Sequence, residues 1–157
     1  MTQEQFKEQM LKFNEELTAL NTPIRVKQQE YEKQFNDLRK DKEQYNFNID
    51  QERHRVFEIQ EELRQHKECK PIGEGMEAER EVWRVEYEQL HERLNDSNRK
   101  IFVIRDCYNQ TKLQIADVRA AWCELERMRK ANATRIWNEQ HAFILDNPKD
   151  QIEDYGK

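Results

Sequence analysis

Thirteen positions in the second half of the chain fall on one line. Trp83, Tyr87, Leu90, Leu94, Ser97, Ile101, Ile104, Tyr108, Thr111, Ile115, Val118, Trp122 and Leu125 alternate in steps of four and three. That is a seven-residue repeat with only Ser97 and Thr111 polar, the pattern of a helix that buries one narrow seam against another helix. No strand has such a period. Composition agrees. Of the 157 residues, 38% are charged and 36% hydrophobic, with a mean hydropathy of −1.22. Ordinary soluble domains carry nearer a quarter charged residues. Too few apolar residues remain for a thick core, and their regular spacing argues against disorder.

The first half has its own seam. Tyr31, Phe35, Leu38, Lys42, Tyr45, Ile49, Glu52, Val56, Ile59 and Leu63 follow the same rule. Upstream, Phe6, Met10, Phe13, Leu17, Leu20 and Ile24 form another run. The two runs differ in frame by four residues, a stutter that locally unwinds paired helices. Thr22 suits an N-cap and Pro23 the first helical position. A break or kink is therefore expected there.

Between the halves lies "HKECKPIGEG". His66, Lys67 and Lys70 carry the charge a helix C-terminus prefers, and Glu77, Glu79 and Glu81 the charge an N-terminus prefers. Pro71, Gly73 and Gly75 form the loop. At the far end Asn147 precedes Pro148, so the second helix should stop near Asp146. The expected class is all-α, a long antiparallel helical hairpin forming a two-stranded coiled coil. Its segments are an N-terminal helical piece over 1–22, a first arm over 23–70, the hairpin loop over 71–75, a second arm over 76–146 and a polar tail over 147–157.

Folding back about Gly73 places Leu63 opposite Trp83, Ile59 opposite Tyr87, Glu52 opposite Leu94 and Lys42 opposite Ile104. Gln28 then faces Val118, and Arg129 faces Leu17. No layer from Gln28 to Leu63 is polar on both sides. A parallel pair of chains would set Lys42 against Lys42 and Glu52 against Glu52, which costs stability.

Function must come from residues outside the seam. Phe102 and Val103 lie behind it, and Leu113, Ala116, Ala120 and Cys123 repeat the three–four rhythm on the opposite face. The run Ile101–Ile104 is apolar all round the helix, which suits burial on both sides. These six residues are the expected docking stripe for partner helices. Phe47 and Phe57 are weaker candidates on the first helix. Trp83 and Trp122 are read as packing residues, and Trp137 as a cap on the open end.

The expected role is a non-enzymatic scaffold or adapter subunit, with cytoskeletal or ciliary assemblies as the usual setting. The alternatives are a self-associating parallel rod or trafficking tether, and a helical RNA-binding arm built on Arg127, Arg129, Lys130 and Arg135. Net charge is −5 with both signs interspersed, so nucleic acid is the less favoured partner.

No catalytic or cofactor motif appears. His66 and Cys69 share a face but make a poor metal site. Cys107 and Cys123 lie about 24 Å apart along one helix and cannot bridge within it. No span suits membrane insertion and "MTQEQFKEQM" lacks a signal peptide's apolar region. A cytoplasmic address, with the cytoskeleton as the finer option, is the expectation, and three sequons (at Asn95, Asn109 and Asn132) read as coincidence.

Overall fold

A computed structural model describes residues 1–154 and 156. The chain is an all-α helical hairpin. Helix α1 spans Gln3–Glu68 and helix α2 spans Glu77–Asp146, followed by a single 3-10 turn at Lys149–Gln151. The chain divides into two compact units. A turn unit covers Asp37–Ile115, and a terminal unit combines Met1–Asn36 with the chain from Ala116 onward.

In the turn unit, α1 ends one residue before Cys69 and α2 begins at Glu77, with His66 and Lys67 in the last turn of α1 and Glu77 and Glu79 in the first of α2. Gly73 and Gly75 take φ of 120° and 75°. Residues with a Cβ avoid that region, so both glycines are required by the backbone. Arg80 donates to the Gly73 carbonyl at 2.8 Å and ties the loop to α2.

The helices pair one heptad away from the expected register. Trp83 does not face Leu63. Its indole N–H donates to the His66 carbonyl at 2.7 Å, the rings of Trp83 and His66 stack at 4.9 Å, and the Lys70 ammonium lies 5.1 Å from the Trp83 ring. His66 Nε2 lies 2.9 Å from the Trp83 carbonyl, which only accepts, so this nitrogen carries the hydrogen. Tyr87 extends the stack at 5.1 Å from Trp83. The cause is local. A buried indole N–H needs an acceptor, and the last carbonyls of a helix lack helical donors. A slide of one heptad keeps every seam residue in the seam, so the periodic frame cannot oppose it.

The slide changes the polar layers. Lys42 moves from Ile104 toward Tyr108, with its ammonium 5.8 Å from that ring. Thr111, Ser97 and Glu52 are buried beside Ile49, Ile59 and Leu63 in the unit's core. Glu52 has a side chain only 10% exposed. Arg55 donates to its Oε1 at 2.6 Å, while Oε2 is buried without a hydrogen-bond partner.

In the terminal unit α1 runs unbroken through Pro23, so of the expected break or kink the break is absent. Thr22 does not cap a new helix. Its hydroxyl donates back to the Thr18 carbonyl at 2.6 Å, within the same helix. Proline inside a helix costs about 3 kcal/mol. Here Ala19, whose carbonyl Pro23 cannot serve, is exposed to water, and the seam holds both flanks. Ile24 is buried, Gln28 is fully buried, and Ile136 of α2 is nearly so. Gln28 fills the extra turn of the stutter and donates to Glu126 at 2.8 Å. Glu126 lies one residue past the position a full heptad beyond the expected partner, Val118.

The stretch after Pro148 is not a loose polar tail. Ile152 is buried, the Glu153 amide donates to the Met1 carbonyl at 2.9 Å, and Thr2 and Glu153 form a parallel bridge. Asp154 Oδ1 accepts from the Gln3 amide at 2.9 Å, satisfying a free donor at the positive end of α1. Thr2 and Gln5 bond reciprocally, a capping box. Phe6 and Phe13 meet Phe143 nearby, at 5.3 and 5.8 Å between ring centroids. Tyr155 and Lys157 of the expected tail lie outside the described residues.

Two outcomes test this packing. Ile59 borders the same surface hollow as Arg93 and Ser97, so in a background without native cysteines Ile59→Cys should cross-link rapidly with Leu94→Cys and slowly with Tyr87→Cys. The reverse preference in a monomer would restore the unshifted register. Glu52→Leu should raise the thermal midpoint, because an apolar side chain removes a buried orphan oxygen, a gain of about 1 kcal/mol. An unchanged or lower midpoint would show that Glu52 is satisfied in solution.

Candidate interaction surfaces

The six stripe residues all sit on α2 outside the seam, and each is exposed. In the turn unit Phe102 is 75% and Leu113 is 68% exposed, with Val103 also open to solvent. Phe102 and Val103 border a shallow hollow with Asn95, Asn98 and Arg99. In the terminal unit Ala116, Ala120 and Cys123 are exposed, and Cys123 is a free thiol. Surface alanines cost little, being good helix formers. Two large apolar side chains more than two-thirds exposed are the informative observation. On α1, Phe47 and Phe57 are exposed as well, Phe47 beside His54 and Arg55.

Pro71, Gly73 and Gly75 act only in the turn. Trp137 does not cap the open end. It is 60% exposed and stacked on His141 at 5.0 Å, while its neighbour Ile136 takes the seam position. The heptad frame carried through from Leu125 places Trp137 and Ile144 two and three repeats beyond Cys123, on the same outer face. That signal was present in the spacing but was hidden by reading Trp137 as a cap on the open end.

The basic cluster is neutralised locally. Arg127 pairs with Glu124, Arg129 with Glu126, and Arg135 with Glu16 and Glu139. His66 and Cys69 do not form a ligand pair, because His66 is held by Trp83. Among the described residues no group of three or more His, Cys, Asp or Glu side chains could hold a metal ion. No helix among them is long and apolar enough to cross a membrane.

The seam of the terminal unit is bound by polar side chains. Asn132 donates to Asn21 at 3.1 Å, Gln140 to Asn14 at 3.2 Å, and Trp122 to Glu32 at 3.2 Å. Glu126 collects the most. Arg129 donates to both of its oxygens and Gln28 to one. The Arg129 hydrogen bonds, then that from Gln28, hold its carboxyl down at about 2 from an ordinary 4.5.

Comparison with family models, curated proteins and solved structures found no match to this chain.

The Glu126 carboxyl is more acidic in the folded chain than in the unfolded one. Its contribution to stability is therefore complete above pH 4.5 and fades as pH falls toward about 2. Acid titration of the thermal midpoint should show a loss over that window, and Glu126→Gln should flatten it. An identical acid limb in the variant would remove Glu126 from the account.

Proposed function

We propose that the protein is a non-enzymatic structural coiled-coil subunit that docks partner helices on the outer face of α2, as a scaffold or adapter. Cytoplasmic, cytoskeletal or ciliary assemblies are the setting this architecture suits. The observation that carries the reading is the exposure of Phe102 and Leu113, large apolar side chains left open on a face the hairpin does not use. A helix laid over them would remove that area from water, at roughly 25 cal/mol for each Å² of apolar surface. Val103 adds to that face in the turn unit, and in the terminal unit Ala116, Ala120 and Cys123 form a low surface of their own over which a helix can approach closely.

Two earlier alternatives lose support. The hairpin already gives each seam a partner within one chain, which weakens the case for a parallel two-chain rod. The RNA-binding reading needs free cations, and Arg127, Arg129 and Arg135 each have an acidic neighbour.

Changing Phe102 and Leu113 together to Glu should leave circular-dichroism helicity intact, since both are exposed. Association with partner helices, or between copies, should fall at least tenfold by sedimentation or light scattering. Association at wild-type strength would sink the proposal. Binding to RNA that weakens steeply with salt and is lost in Arg127→Ala with Arg135→Ala would favour the RNA-binding arm instead.

A further inference from the structure

The terminal unit has a hollow that the docking role does not use. It measures about 380 Å³ and is lined by Tyr31, Glu32, Phe35 and Asn36 of α1 and by Val118, Arg119 and Trp122 of α2. That volume lies within the range of small-molecule sites, which runs from about 300 to 1,000 Å³. Its walls are unusual for a helix seam. Three aromatic side chains converge from two helices, and none is fully buried. Elsewhere in the unit the seam closes over Ile24, Gln28 and Ile136. Here three rings and Val118 line an open recess together with Glu32, Asn36 and Arg119.

The charges around the recess are not balanced. Glu32 accepts from Trp122 Nε1 at 3.2 Å and lies 3.7 Å from Arg25. Lys27 is over the Tyr31 ring at 5.1 Å, but it is paired with Glu30 at 3.0 Å. Arg119 is different. Its guanidinium lies 5.4 Å from the centre of the Phe35 ring, and among the described residues it has neither an ion pair nor a hydrogen bond. A guanidinium seated on an aromatic face keeps its N–H edge available, and that edge matches a carboxylate or sulfonate.

We infer that this hollow is a binding site for a small aromatic acid, whose rings lie among Tyr31, Phe35 and Trp122 and whose anionic group is held by Arg119. The compact, aromatic-walled recess suits a planar ring system better than an extended aliphatic chain, because offset and edge-to-face ring contacts add to simple area burial. Arg119 favours an acid, because its guanidinium rests on the Phe35 ring with its N–H edge open to solvent.

The test uses the full chain with two fluorescent probes, anionic anilinonaphthalene sulfonate and its neutral counterpart N-phenylnaphthylamine. Both should bind, and quenching of tryptophan emission by energy transfer should shrink in Trp122→Phe. Arg119→Gln, an exposed change that leaves helicity intact, should weaken the anionic probe about tenfold and the neutral probe by less than twofold. Arg119→Lys should recover part of the anionic affinity. Equal loss for both probes, no loss for either, or undiminished quenching in Trp122→Phe would overturn the site.

Discussion

Two hydrogen bonds at the turn, exchanged between His66 and Trp83, decide how the helices meet. Each joins a ring nitrogen of one residue to the carbonyl of the other. A seam with a seven-residue period is degenerate. Sliding one helix past the other by seven residues returns apolar side chains to apolar partners, so hydrophobic burial barely distinguishes the two arrangements. A directional bond does distinguish them. The indole N–H takes a carbonyl in the last turn of α1, and Lys70 over the same ring sets Trp83 one heptad from Leu63. The terminal unit carries the same offset through its own polar contacts, with Gln28 on Glu126 and Asn21 on Asn132.

Polar side chains thus do more in this seam than interrupt it. Apolar burial supplies most of the attraction but little discrimination, since Ile, Leu and Val side chains tolerate many neighbours. Gln28, Asn132, Trp122 and His66 each need a particular partner at a particular distance. Glu52 shows the cost of the same strategy where it is incomplete, with one oxygen held by Arg55 and the other buried without a partner.

A hairpin of two helices leaves most residues at the surface, and function is to be sought where the surface departs from a solvated helix. Phe102 and Leu113 depart by being large, apolar and open. The Tyr31–Trp122 hollow departs by gathering three aromatic rings beside a guanidinium seated on one of them. The first suits a helix and the second a small anion, and the two rest on separate residues, so one can fail without the other.

Much of the fold was legible in the residues alone. Heptad spacing marks the two helices, Pro71 and the two glycines mark the turn, and the Asn147–Pro148 step marks the end of α2. These are local or periodic effects, carried by neighbours in the chain. The exposure of the six stripe residues also follows from the frame. The capping box at Thr2 and Gln5 was readable but unread. Other features required the tertiary structure because they depend on distant groups. Pro23 stays helical because Ile24 beside it and Gln28 within the stutter are buried in the seam. The chain after Pro148 docks because the free amide of Gln3 and the carbonyl of Met1 await it. The register by one heptad, the recess beside Trp122 and the seating of Arg119 on the Phe35 ring follow the same logic. Periodicity says which face each residue occupies, and only the meeting of two helices decides which residue it faces.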